Sequence, residues 1–279
     1  MSPFDQGNFR QSPDRGAEAA LKTLVQRWNS SPVWAARWKV KGFSVFAPTL
    51  DRSLYLALHK FGLAGSGEAR LLERLVSRGD RVLDIGANVG LYTALLSRCV
   101  GPAGSVLAFE PMPVLADAVQ RLVAWNNLGN VSLFPFALGD ADGVVQMSTQ
   151  AFNSGDNRIG PSGNVAVPVR RGDELIECPA VEFVKIDVQG YELRALRGLT
   201  GLLRRSPRAR IFFEYWPRGM QLAGDDPAEL PVFLDGLGFR LMYINQELGL
   251  EGIPWSEIDR RLVRRPWGSS QNFIAERGV

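Results

Sequence analysis

Apolar residues recur along this chain with two alternating periods. Leu71, Leu72, Leu75 and Val76 make a helical stripe, and the run Arg-Val-Leu-Asp-Ile at 81–85 reads as a strand entering a Gly-rich turn. A helix over 91–99 follows, then a strand over 105–110. Val114, Leu115, Ala118, Val119, Leu122 and Val123 recur at helix period behind it. Residues 131–136, 182–187 and 209–215 read as three further strands. One helix carrying Leu193, Leu196, Leu199 and Leu203, and another around 228–237, alternate with them. Strands over 239–245 and 271–276 close the chain with no clear helix between them, which predicts an antiparallel strand at or near the sheet edge. Near-continuous apolar strands alternating with helices are buried on both faces. The expected fold class is therefore α/β, a mostly parallel sheet with helices on both sides.

Two regions depart from that rhythm. Residues 1–65 read as an N-terminal, mainly helical arm. It has a polar tail over 1–16, an amphipathic helix over 17–28, an extended piece over 41–48 and a helix over 51–61. The glycines from Gly62 to Gly67 joint it to a core domain over 66–279, over which the arm can act as a lid or an oligomer contact. The second region, about 140–180, is an insertion. Residues 144–148 and 165–169 look like a short β pair around a polar loop, longer than a plain connection needs.

Composition narrows the chemistry by exclusion. The chain has 279 residues, a net charge of +3 and one histidine, His59. A lone histidine removes His-clustered metal sites. Cys99 and Cys178 can make neither a disulfide framework nor a zinc knuckle. No P-loop is present. Arginine clusters at 204–210 and 260–265 lack interleaved aromatics, so no nucleic-acid partner is expected. No apolar stretch approaches the length of a membrane span. The first 15 residues carry no apolar signal core, so the expected location is the cytoplasm.

The sharpest local signal is Asp84-Ile-Gly86-Ala-Asn88-Val-Gly90, set between a strand and a helix. In open α/β sheets ligands bind beyond the carboxyl ends of the strands. Gly86 permits a tight turn there, Gly90 lets the next helix lie close, and Asp84 can accept from a ligand amine. Glu110 ends the next strand, where a carboxylate can take both hydroxyls of a ribose. Dinucleotide sites use G-x-G-x-x-G, whereas these glycines are spaced G-x-x-x-G beside an acid. An acid repels pyrophosphate and suits a cationic, amine-bearing ligand such as S-adenosylmethionine. An NAD-dependent oxidoreductase and a non-catalytic binding protein stay open as lesser alternatives.

The run from Val82 to Thr93, Phe109-Glu-Pro111, Asn126-Asn127, Ala137-Leu-Gly-Asp140, Val184-Lys-Ile-Asp-Val-Gln-Gly-Tyr-Glu192 and Phe213-Glu214 together resemble the FkbM family of S-adenosylmethionine-dependent methyltransferases. The resemblance covers about residues 68–215. It implies a class I methyltransferase (Rossmann-like) fold with a seven-stranded sheet, and O-methylation of a natural product of polyketide, macrolide or peptide origin. The alternative acceptor is a saccharide hydroxyl in a glycan. By position, Asp84, Gly86, Ala87, Asn88 and Gly90 would line the methionine part of the cofactor. Glu110 and Pro111 would serve the ribose, and Ala137, Leu138 and Asp140 would border the adenine. One departure is Gln189, where the family commonly has Glu.

Transfer to a hydroxyl needs a positioned acceptor oxygen and a base for its proton. Asp187 is the candidate base, with Lys185 tuning it; a purely structural Lys185–Asp187 ion pair is the competing reading. Asp187 and Glu214 would also suffice for Mg²⁺ with waters and substrate oxygens, although no metal site is expected. His59, one helical turn from Tyr55, is a second candidate base. Tyr191, Tyr215 and Trp216 are candidates for an apolar acceptor wall. Asn153 and Asn157 in the insertion offer polar groups for hydroxyl recognition. The expected partner is a small-molecule hydroxyl acceptor, and a homodimer is compatible with the sequence.

Overall fold

A computed structural model of the protein describes residues 36–40, 42–47, 67–149, 154–161, 163–264 and 268–277. Its central sheet has eight strands. In chain order they are β3 (Arg81–Ile85), β4 (Ser105–Phe109), β5 (Val131–Phe134), β10 (Phe183–Ile186), β11 (Arg210–Tyr215), β12 (Phe239–Ile244), β13 (Leu250–Ile253) and β14 (Gln271–Arg277). Across the sheet the order is β13-β12-β14-β11-β10-β3-β4-β5. The five strands from β11 to β5 are parallel, while β14 runs antiparallel between β11 and β12. That is the expected seven-stranded sheet with one antiparallel member. β13 adds an eighth, antiparallel edge strand that the sequence did not suggest.

Side chains alternate across the sheet and build a core on each face. Leu83, Val184, Ile186, Ile211 and Phe213 face one way, toward α5 (Glu192–Arg197), α6 (Thr200–Arg204) and α8 (Glu229–Gly236). Val82, Val106, Phe183 and Phe212 face the other, toward α1 (Gly67–Leu75), α2 (Leu91–Val100) and α3 (Pro113–Trp125). The chain runs outward from β3 through β4 to β5 and returns to lay β10 on the other side of β3. Strand order therefore reverses between β3 and β10, where an open α/β sheet leaves a crevice at its carboxyl ends.

Five details differ from expectation. The strand expected over 131–136 stops at Phe134, because Pro135 lacks the N–H to continue the ladder. The chain then enters a second sheet of four short strands: β6 (Ala137–Leu138), β7 (Gly143–Ser148), β8 (Arg158–Ile159) and β9 (Val165–Arg170). The helix expected over 193–203 is two short ones, broken where Gly198 meets the second sheet. α4 (Gly172–Leu175) and α7 (Pro217–Ala223) are additional short helices. The arm contributes a hairpin of β1 (Ala36–Val40) and β2 (Phe43–Ala47), not only helix. It docks beside α3, where Asn126 accepts from the Ser44 N–H and donates to the Ser44 carbonyl, both at 2.8 Å. The helices expected over 17–28 and 51–61, with Tyr55 and His59, lie outside the described residues. No helix among those described is long and apolar enough to cross a membrane.

The second sheet is seated by a close backbone approach. A side-chain carbon on Gly198 would run into the carbonyl of Gly139, the residue after β6. Gly198→Ala should therefore destabilise the protein by about 1–3 kcal/mol, because neither backbone can yield cheaply. Chemical unfolding measures it, and wild-type stability would show the seam to be loose.

Candidate active site

The turn after β3 is built by backbone constraints. The N–H groups of Gly86 and Ala87 both donate to the Phe109 carbonyl at 3.0 Å, tying the turn to the end of β4. Gly86 has φ 82°, and a Cβ there would collide with the carbonyl of Asp187 at the end of β10. Only glycine fits, for conformation and for space. Asn88 is also left-handed, at φ 53°. Its side chain accepts from the Val89 N–H and donates to the Ser154 hydroxyl at 3.2 Å, so the turn touches the insertion. Its backbone N–H donates to Glu110 Oε2 at 2.7 Å, while the Met112 N–H donates to Oε1 at 2.9 Å. Burial pushes the Glu110 carboxyl up to about 7, against those two N–H groups and the charge of Lys185.

A pocket opens at this point. Gly86, Asn88, Glu110 and Pro111 line one side, with Ala137 and Leu138 from β6. Asp187, Gln189 and Tyr191 close the β10 end, and Met147, Ser154, Asn157 and Ile159 roof it from the insertion. Sequence reasoning had singled out most of these, the polar run over 153–158 of the insertion included. It missed Met147 and Ile159, because only the fold brings β7 and β8 over the turn. The Asn153 candidate lies outside the described residues.

Other candidates are placed differently. Asp84 is fully buried and does not face the pocket: Thr93 Oγ1 donates to its Oδ2 at 2.6 Å, and Lys185 Nζ stands 3.3 Å from its Oδ1. Lys185 also donates to the Gly86 carbonyl at 3.2 Å. The structural partner of Lys185 is thus Asp84, its register neighbour across β3 and β10, in place of the expected Asp187. Burial alone would pull the ammonium down, but the Asp84 and Asp187 carboxylates outweigh it and hold Lys185 above the usual lysine range. Ala87 and Gly90 support the turn from behind, with Gly90 against Val119 and Leu122 of α3. Asp140 is exposed and outside the pocket lining, because the chain turns away after β6. Tyr215 belongs to the core, its hydroxyl 3.4 Å from the Pro227 carbonyl; burial raises its phenol. Trp216 is buried against Gly219, with the Arg158 guanidinium 6.0 Å from its ring centroid. Asn157 and Ile159 line the pocket and Trp216 does not, so the expected Tyr215–Trp216 wall is not part of it.

At the β10 end, Asp187 is exposed and Glu214 half-buried. The Gln189 carboxamide lies between them, Nε2 donating to Asp187 Oδ1 at 2.7 Å and to Glu214 Oε2 at 3.4 Å. Behind them Glu192 Oε1 accepts from the N–H groups of Val188 and Gly190. Its Oε2 is buried without a hydrogen-bond partner, and burial, with the charge of Glu214, pushes this carboxyl up to about 8. Among the described residues no group of three or more His, Cys, Asp or Glu is arranged to hold a metal ion.

The reversal between β3 and β10, the glycine turn and the acid ending β4 define a class I methyltransferase-type domain. Residues 84–241 match the methyltransferase FkbM domain, and the chain belongs to that family. Hexuronic acid methyltransferase AglP of Haloferax volcanii is 28% identical over 141 residues, 48% of this chain and 56% of its own length. Methyltransferase 1 of Beauveria bassiana is 28% identical over 144 residues, 42% of this chain and 57% of its own. The chain thus spans little more than half the length of these relatives. A solved FkbM methyltransferase from Methylobacillus flagellatus aligns over 92% of this chain and 58% of its own, at 15% identity and TM-score 0.46. The cofactor of this family is S-adenosylmethionine. The pocket suits it: the Gly86 cradle excludes any Cβ, and Glu110 is among the lining residues, its carboxyl keeping lone pairs beyond its two backbone bonds.

The Asp84–Lys185 pair generates a stability test. Lys185→Met strands a buried carboxylate on one hydroxyl and should cost about 3–5 kcal/mol, while Asp84→Asn in the same chain should recover much of it. Urea unfolding of single and double variants measures the coupling. Additive losses would mean that the two side chains act independently.

Proposed function

We propose that the protein is an S-adenosylmethionine-dependent O-methyltransferase acting on a hydroxyl of a small natural product. One observation carries the reading: the glycine turn, Glu110 and Asp187 converge on one pocket at the strand reversal. A saccharide hydroxyl is the second reading, favoured by the similarity to a hexuronic acid methyltransferase. Label transferred from methyl-labelled S-adenosylmethionine into either a metabolite or a glycan fraction separates the two. Label in protein or lipid alone would defeat both.

In this proposal Glu110 takes the ribose hydroxyls, the turn at 86–88 meets the methionine part, and Ala137 and Leu138 border the adenine. The cofactor supplies an electrophilic methyl group on a sulfonium. Asp187 accepts the acceptor's proton, being the pocket carboxylate outside the core at the end of β10. Lys185 keeps a positive charge beneath the turn without touching the reacting groups. Tyr191 and Asn157, both in the pocket lining, meet the acceptor.

Two predictions follow from these roles. Asp187→Asn preserves shape and removes the base, so label transfer should fall by about 10²–10⁴ while S-adenosylhomocysteine affinity by calorimetry stays unchanged. Full transfer by this variant would remove Asp187 from the chemistry. The second is a pH dependence. The Glu110 carboxyl, raised to about 7, is mostly neutral at pH 6 and mostly ionised at pH 8. Ribose hydroxyls donate better to the carboxylate. S-adenosylhomocysteine should therefore bind about tenfold more weakly at pH 6 than at pH 8, and Glu110→Gln should flatten the profile. A flat wild-type profile would place the ribose elsewhere.

A further inference from the structure

We propose that the Gln189 carboxamide occupies the place of a cation between Asp187 and Glu214, making it the positioning residue of a carboxylate pair that works without a metal. The inference rests on the reading of Asp187 as base, and goes beyond it. Two acids at the ends of neighbouring strands repel each other, and such pairs recruit either a divalent ion or hydrogen-bond donors. Here one primary amide offers a hydrogen to each acid, at 2.7 Å and 3.4 Å. The shorter bond is charge-assisted, of the kind that fixes an orientation. Lys185, two residues before Asp187, is committed to Asp84 and to the Gly86 carbonyl.

The backbone around Gln189 is built to hold that amide in place. Gln189 is left-handed at φ 53°, a conformation that a non-glycine residue keeps only where its surroundings hold it. The N–H groups on either side of it, from Val188 and Gly190, both donate to Glu192 Oε1, so the turn is pinned from below. Glu192 is raised to about 8 and is mostly neutral at pH 7, so it adds little third charge to the pair. A carboxylate at 189 would place three acids where the amide now joins two. That set has the donor chemistry of a divalent-ion site.

Four full-length chains decide the matter: wild type, Gln189→Glu, Gln189→Glu with Asp187→Asn, and Asp187→Asn. Each is titrated with Mn²⁺ and the free ion followed by its paramagnetic resonance. The expected result is that wild type and Asp187→Asn give the same titration, that Gln189→Glu gains one bound Mn²⁺, and that adding Asp187→Asn removes it. If Gln189→Glu does not fold, Gln189→Asp takes its place in the series. A Mn²⁺ ion bound by wild type and lost in Asp187→Asn would overturn the proposal, since a cation would then join the acids. So would an acid at 189 that gains no ion. The positioning role is read separately with Gln189→Met, which keeps the reach and removes both donors. S-adenosylhomocysteine affinity should stay within about twofold while label transfer falls about tenfold or more. Wild-type transfer by Gln189→Met would overturn that role. Undiminished transfer by Asp187→Asn beside an ion gained by Gln189→Glu would defeat the base assignment and support the bridge.

Discussion

The buried pairing of Asp84 with Lys185 is the constraint on which the site depends. The two residues are direct register neighbours on β3 and β10, the strands between which chain order reverses. Both point to the α2 side, where Thr93 supplies the remaining hydrogen bond to Asp84. Two charges in a sheet interior cost several kcal/mol each to desolvate, so the pair adds little net stability. Its effect is on register. A one-residue slip of β10 against β3 would carry Lys185 to the opposite face and leave Asp84 alone in the core. The correct register in turn sets the Asp187 carbonyl against Gly86 and brings Asp187 to the pocket. The cradle of the turn and the placement of Asp187 at its edge thus descend from one interaction.

That interaction was the part least legible in the sequence. Asp84 drew attention as an acid beside a glycine turn, and its expected role was to meet a ligand. Pattern alone does not say which face of β3 it takes, nor that a lysine a hundred residues later stands opposite. Elements set by backbone rules were legible. The central strands β3, β4, β10 and β11 are near-continuous apolar runs, and α2 and α3 carry full helical stripes. Pro135 and Gly198 both stood in view, yet the sequence reading carried a strand and a helix through them. Each break is local chemistry overriding periodicity: a missing donor at Pro135, a backbone crossing at Gly198. The edge strand β13, Leu-Glu-Gly-Ile, has too little apolar alternation to declare itself.

The same division runs through the site residues. Gly86, Glu110 and Asp187 could be named because their positions relative to strand ends are fixed by chain order. Tyr215 and Trp216 were misjudged because alternation turns a residue at a strand's carboxyl end either into the cleft or into the core. Tyr215 packs with the core and Trp216 on Gly219. The insertion's apolar wall was unreadable for another reason. Met147 and Ile159 reach the pocket only because β6 pairs in parallel with β9 and folds the second sheet back over the turn.

Charge around the pocket is graded by burial. Asp84 and Lys185 cancel in the interior, Glu192 is held mostly neutral beneath its turn, and Glu110 sits near its midpoint at neutral pH. Asp187 alone among these is exposed. Asp187 and the half-buried Glu214 thus stand at the rim with the Gln189 amide between them, while Asp84, Lys185 and Glu192 lie inside. Glu110, being buried, meets a ligand at a lower local dielectric than Asp187 does at the exposed end of β10.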